Sequence, residues 1–243
     1  MTQRTIRRRC AAFLAIGAMA ALAMPSTAQA APQLADLDAK QSMSVKASNG
    51  ERLEGKDLHA IQLATYTAAS VDDNTIVGYD LTTNTALASD ITAAAKTAGA
   101  TDANLTVNGK NDPMVWVVKN LTDSRSDPWS GKLRNFCNSL AKQTNFAKQE
   151  GTAVATLSQD KTTMSTGNVL VPGIYAIVDR TPATTTPSGG TAVKTTASIM
   201  MMNGTAVNGI SQLRTASGTT LTLGQVIYKV SSVETPDKKV NVG

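Results

Sequence analysis

The sequence predicts a mainly β fold, a sandwich or barrel of short strands interrupted by one inserted amphipathic helix at about residues 131–148. Two observations carry this. Runs rich in β-branched residues recur between Gly, Pro, Asn and Asp, the pattern of short strands joined by polar turns. One stretch, from Ser130 to about Lys148, follows a different period: Leu133, Phe136, Cys137, Leu140 and Ala141 fall at i, i+3, i+4, i+7 and i+8, one face of a helix.

Taken in order, Ser42–Ala47 alternates, with Met43, Val45 and Ala47 on one face and Lys46 on the other. Leu58–Thr67 and Thr75–Asp80 read as the next strands. Asp90–Gly99 reads as a short helix closed by Gly99, and Met114–Asn120 fits either a helical turn or a strand. Ser130 is the expected N-cap of the main helix, with Pro128 and Trp129 just before it. Cys137 lies in the middle of the apolar face, so a buried, inert thiol is expected. Asn168–Asp179 is a strand whose Pro172-Gly173 implies a bend or a sheet edge. Thr181–Thr196 is a low-complexity, exposed hairpin connection to the strand Thr195–Met202. The last strand is Leu221–Val233, after which Pro236-Asp237-Lys238-Lys239 reads as a linker or the opening of a new strand.

Of 23 Lys+Arg against 18 Asp+Glu, four cations, Arg4, Arg7, Arg8 and Arg9, lie in the first thirty residues, which hold no acid. Without that segment 19 cations face 18 acids, so no electrostatic footprint for nucleic acid is expected. The same thirty residues read as a secretory signal. An Arg-rich start precedes the apolar run Ala11–Met24, and Ala28-Gln29-Ala30 forms a small-residue cleavage site, with the cut between Ala30 and Ala31. The apolar run is short of the ~20 residues that span a bilayer. The expected organisation is signal peptide 1–30, N-terminal extension 31–41, one domain 42–234, and a linker or start of a following domain at 235–243. The product is expected to be secreted and held at the cell surface.

One His and two Cys exclude a His-rich metal site, a zinc knuckle or a disulfide framework, and no cofactor or metal is expected. Asp72-Asp73-Asn74 lacks the spacing and the terminal Glu of a calcium loop and reads as a solvated turn. His59, the sole candidate base for a Ser-His-Asp arrangement, sits in a strand opposite the Leu58/Ala60 face, where a solvated or packed imidazole is the common outcome. No G-x-S-x-G, Walker A or H-E-x-x-H motif occurs. An enzyme is not expected.

Four stretches in order resemble the N-terminal domain of sortase-assembled pilus shaft subunits of Gram-positive bacteria, of the actinobacterial type. They are Gly55–Tyr66 (GKDLHAIQLATY), Asn111–Leu140 with its NDPMVWVVKNLT and SDPWSG, Val171–Asp179 (VPGIYAIVD) followed by Ser198–Met202, and Leu223–Val240 (LGQVIYKVSSVETPDKKV). The resemblance implies an Ig-like β-sandwich with an inserted helix. It also implies a covalent homopolymer with other pilin subunits built by a sortase transpeptidase, in a cell-wall fimbrium that supports adhesion. The family joins subunits through a lysine near the end of this domain. Gln225-Val226-Ile227-Tyr228-Lys229 matches V-x-x-K, with Gln225 where the family has Thr and no Pro before the lysine. Lys229 is therefore the implied acceptor, and Lys238 and Lys239 are the alternatives. By period two, Lys229 shares a face with Gln225 and Ile227.

An internal Lys–Asn isopeptide bond would need Lys46, Asn203 and an acid such as Asp80 or Glu54 buried together. The sequence carries no LPxTG-like signal, hydrophobic tail or basic tail, so a fragment ending at a domain border, or a chain that only accepts a partner, is expected. The competing reading is a secreted adhesin module binding a host glycan or matrix protein through Trp129, Tyr175 or the Thr-rich 181–196 loop.

Overall fold

The computed structural model describes residues 32–48, 50–121, 131–182, 185–188, 191–196, 200–215, 218–228 and 231–234. The chain enters through β1 (Gln33–Leu34) and β2 (Ser44–Ala47), then a long hairpin of β3 (Leu58–Asp72) and β4 (Thr75–Thr83). The hairpin turns on Asp73 and Asn74, at φ 45° and 57°. Two successive left-handed residues are what a tight hairpin twist requires, and Asp and Asn tolerate that region better than most side chains. The candidate calcium triplet is thus this turn.

A helical block follows. It contains α1 (Ala88–Thr97), a small ribbon of β5 (Thr106–Val107) and β6 (Lys110–Asn111), α2 (Pro113–Leu121), α3 (Lys132–Leu140) and α4 (Thr144–Ala147). Pro113 opens α2, where a missing N–H is no loss, and the Thr83 hydroxyl accepts from the Met114 N–H at 3.0 Å. The helices bury Ile91, Ala94 and Ala95, then Met114, Val117 and Leu121, then Phe136, Cys137 and Leu140. Each set recurs at three- and four-residue steps, one stripe per helix.

The expectation of one inserted helix at 131–148 is therefore corrected. That stretch is two helices, broken at residues 141–143, and α1 and α2 extend the insertion back to residue 88. The apolar stripe of α3 ends at Leu140 and restarts only at Phe146, so nothing sustains a single helix between them. The N-cap of α3 is Gly131, without a side-chain cap bond.

The second half is almost all strand: β7 (Thr152–Ala153), β8 (Thr156–Leu157), β9 (Thr163–Ser165), β10 (Gly173–Asp179), β11 (Thr185–Ser188), β12 (Thr191–Thr196), β13 (Met200–Gly204), β14 (Gln212–Arg214), β15 (Thr220–Thr222), β16 (Gln225–Tyr228) and β17 (Ser231–Glu234). The Thr-rich 181–196 segment contributes the β11–β12 hairpin, which pairs on to β17. An eight-stranded mixed sheet runs β13-β10-β3-β4-β14-β15, with β1 and β7 also paired to β3. A four-stranded sheet runs β16-β2-β9-β8. Among the described residues two pairings are parallel, β14 with β4 and β16 with β2. The fold is mainly β, with mixed sheets and few helices.

Strand β10 shows how the layers meet. Ile174, Ala176 and Val178 enter the core shared with the helices, while Tyr175 and Ile177 enter the core shared with the four-stranded sheet. Burial on both faces explains why GIYAIVD reads as a continuous apolar run. Its neighbour β3 skips a residue opposite Ile174/Tyr175, which puts both Leu63 and Ala64 into the helix-side core. Pro172 makes a bend just before β10 and marks no sheet edge: β10 is flanked by β3 and β13, and a Cβ at Gly173 would stand 2.1 Å from the Ala64 carbonyl oxygen. The expected 31–41 extension is tied to the body, since β1 pairs with Val71 and Ser70 and Gln41 bridges Leu170. Among the described residues no helix is long and apolar enough to cross a membrane.

Candidate functional site

The site that the sequence singles out lies along β16. Among the described residues this strand forms one edge of the four-stranded sheet and pairs with β2, in parallel, from Gln225↔Ser44 to Tyr228↔Ala47. It alternates as read: Val226 and Tyr228 are buried, and Gln225 and Ile227 face solvent. Lys229, Lys238 and Lys239 lie outside the described residues, as do Ala30, Ala31 and Trp129. What the structure describes is the ground on which Lys229 follows.

The start of β16 is held by a network that centres on Asn203 and Gly224. Gly224 turns at φ 78°, its N–H donates to the Gly204 carbonyl at 2.7 Å, and its carbonyl accepts from the Ser44 N–H at 2.8 Å. The Asn203 carboxamide donates to the carbonyls of Gln225 (2.6 Å) and Thr222 (3.0 Å), and its oxygen accepts from the Gly204 N–H. Asn203 thus straps the edge of the large sheet to the first residue of β16.

The far end is held by a polar cluster. The Ser48 N–H donates to the Tyr228 carbonyl at 2.9 Å. Tyr228 is 0% exposed. Its hydroxyl donates to Oδ2 of Asp179, whose side chain is also fully buried. Oδ1 of the same carboxylate accepts from the Thr181 N–H at 2.8 Å. Lys56 completes the cluster, its Nζ 3.9 Å from Asp179 Oδ2 and 5.5 Å from the centre of the Tyr228 ring. A buried carboxylate is tolerable when its oxygens are hydrogen-bonded and a cation is near, and an ammonium over a tyrosine face adds a cation–π attraction.

Lys46 and Asn203 are not brought together as an internal cross-link requires. Lys46 is exposed, paired in register with Ile227 on the outer face of the sheet. Both Asn203 amide hydrogens are committed to backbone carbonyls. Of the two acids, Asp80 is exposed, and Glu54 pairs with Lys161 and lies 3.8 Å from Arg52. The bond to Lys161 holds the Glu54 carboxyl below its ordinary range.

No family model, curated protein or solved structure matches the chain.

The residues proposed for other chemistry are equally defined. His59 Nε2 meets Asp57 Oδ1 at 2.7 Å, while its buried Nδ1 has no partner, so the described residues give the imidazole an acid and no nucleophile. Cys137 is buried, and burial pushes its thiol up to about 11 against a small opposing pull from Arg134. Tyr175 is 4% exposed and donates to the Val171 carbonyl at 2.9 Å; burial raises its phenol to about 12. A ring so enclosed offers no face for sugar stacking. Among the described residues no group of three or more His, Cys, Asp or Glu could hold a metal ion.

Sequence reasoning missed the Lys56–Asp179–Tyr228 cluster. One signal was available: Asp179 closes the apolar run GIYAIV, and a carboxylate at the end of a strand buried on both faces needs partners.

Proposed function

We propose that this chain is a structural subunit of a sortase-polymerised surface pilus, exported and fixed at the cell wall, whose assembly supports adhesion. The described domain is its N-terminal unit, an Ig-like β-sandwich in which the four-stranded sheet faces the large sheet across their shared core. It accepts the preceding subunit's C-terminal acyl group on Lys229. The amine attacks the acyl carbon held by the transpeptidase, a new amide bond forms, the bond to the enzyme's nucleophile breaks, and the amine gives up a proton.

The observation that carries this reading is the anchoring of β16. Its described residues are held at Gln225 and at Tyr228, they alternate in the phase that turns every second residue outward, and Lys229 follows in sequence. Lys46, the neighbouring exposed amine, lies instead within a ladder paired on both sides.

The test is an acceptor assay with the chain lacking residues 1–30, a sortase and a sorting-signal peptide, read by mass spectrometry of branched peptides. The expected adduct is at Lys229, and Lys229→Ala abolishes it. Loss with Lys238→Ala or Lys239→Ala and not with Lys229→Ala would move the site. Indifference to all three would remove the pilus assignment.

A further inference from the structure

We infer that the helix-facing side of the large sheet carries a binding site for a small aromatic molecule bearing one oxygen substituent, with the Tyr66 hydroxyl as its polar contact. The inference does not rest on the acceptor reading of Lys229.

The two outer strands of the sheet path, β13 and β15, are drawn together at one end. Asn203 in β13 donates to the Thr222 carbonyl in β15 at 3.0 Å, and the Gly224 N–H donates to the Gly204 carbonyl at 2.7 Å. A sheet whose edges meet encloses a space, as a barrel does at its mouth, and such mouths are common places for ligands. Here the space is a cavity of about 210 Å³. Every strand of the path contributes to its wall: Met202 from β13, Ile174 from β10, Tyr66 from β3, Tyr79 from β4, Leu213 from β14 and Leu221 from β15. Val118 of α2 and Leu133 of α3 face it from the helices.

Interiors leave few voids larger than a water molecule. An apolar cavity of roughly 150 Å³ already holds benzene, so this one has room for a single substituted ring. The rings of Tyr66 and Tyr79 lie 5.2 Å apart with their planes tilted by 55°, which offers an incoming ring edge-to-face partners, and Met202 offers a sulfur.

Tyr66 points to a ligand rather than to loose packing. It is 4% exposed, and its hydroxyl, covered from solvent, has no hydrogen-bond partner. Native folds seldom leave such a group unpaired. The hydroxyl stands against Gly204, where a Cβ would lie 2.1 Å from its oxygen, 3.3 Å from Ile174 Cδ1 and 3.4 Å from Leu223 Cδ2, so any larger residue would fill this corner. Burial, and then the neighbouring Tyr79, push the phenol above its ordinary range and keep it a neutral donor. What it lacks is an acceptor oxygen, and a small turn of the tyrosine brings the hydroxyl to one carried by a ring in the cavity.

The experiment titrates the full chain with p-cresol, and with p-xylene, which has nearly the same shape and no oxygen. Calorimetry and the methyl resonance of Met202 are the two readouts. The expectation is one saturable site for p-cresol with a Kd of roughly 0.1–1 mM, in keeping with a ligand of about eight heavy atoms. The Met202 resonance moves with the same constant. Tyr66→Phe gives up a hydroxyl that has no bond to lose, so it folds. It weakens p-cresol about tenfold, the effect of one hydrogen bond, and leaves p-xylene within about twofold. Leu221→Trp fills the cavity and abolishes binding of both.

No saturable binding of p-cresol up to about 10 mM, or a p-cresol constant unchanged in Tyr66→Phe, would overturn the inference. So would binding that leaves the Met202 resonance unmoved, since the ligand would then sit elsewhere. Should Leu221→Trp misfold, these readings decide without it.

Discussion

Asp179→Ala should be among the most damaging single substitutions in the described structure. The carboxylate is fully enclosed and serves three groups: the hydroxyl of a 0% exposed tyrosine, the Thr181 N–H at 2.8 Å, and a lysine amine at 3.9 Å. Its removal takes from a buried phenol the carboxylate it donates to, a cost of about 1–3 kcal/mol. It also leaves a largely enclosed ammonium without its counter-charge, and breaking a buried pair from one side costs about 3–5 kcal/mol in all. The two overlap, so the expected loss is about 4 kcal/mol, a fall in Tm of roughly 8–16 °C for a domain of this size. Urea denaturation followed by fluorescence measures it. A double-mutant cycle with Tyr228→Phe tests the cause: the hydroxyl–carboxylate bond is charge-assisted, and a coupling of about 1.5–3 kcal/mol is expected. A cost below about 1 kcal/mol for Asp179→Ala, or a coupling within about 0.5 kcal/mol of zero, would refute the view that this carboxylate fastens β16 to β10.

Three further outcomes are expected. Native Cys137 should resist alkylation at pH 8 and react promptly in urea. Its thiol, near 11 when folded, ionises earlier in the unfolded chain, so stability falls as pH rises between the two values, by about 2–3 kcal/mol; Cys137→Ala should flatten that slope in urea melts. Asp90→Ala should cost about 2–4 kcal/mol and expose the Phe146 amide to hydrogen exchange, because this buried carboxylate accepts from the Phe146 N–H (2.8 Å) and the Asn145 carboxamide (3.0 Å) and so docks α4 on α1. Gly173→Ala should destabilise by about 3 kcal/mol or more, since its Cβ meets backbone that cannot yield, whereas Gly78→Ala, with nothing within 4 Å, should change stability by less than about 1 kcal/mol; thermal melts distinguish them.

The sequence made legible those features that a single segment decides. Met43, Val45 and Ala47 alternate and are buried, and Phe136, Cys137 and Leu140 keep helical steps and are buried. Asp73-Asn74 is turn chemistry and makes a turn. Features that depend on partners were not legible. Met114–Asn120 is a short apolar run compatible with strand or helix, and only packing beside α1 and β4 makes it α2. The Gly173–Asp179 run is apolar on both faces, so no alternation betrays which layer each side chain enters. The parallel pairing of β16 with β2 joins residues some 180 positions apart, a register set by tertiary contacts and by no local pattern. The cluster at the candidate site draws one residue each from the approach to β3, the end of β10 and the end of β16, and only the fold brings those three ends together.

If the chain is the acceptor proposed above, that convergence bears on which amine a transferase would choose. Lys46 is exposed and is the register partner of the outward-facing Ile227. Lys46, however, lies inside a ladder with β16 on one side and β9 on the other, so its amine rises from a continuous sheet surface that an enclosing active site cannot straddle. Under the proposed function the acceptor is Lys229, the residue after Tyr228, whose carbonyl is held by Ser48 and whose hydroxyl is held by Asp179. The polar cluster beneath Tyr228 thereby fixes the backbone from which a candidate acceptor follows in sequence.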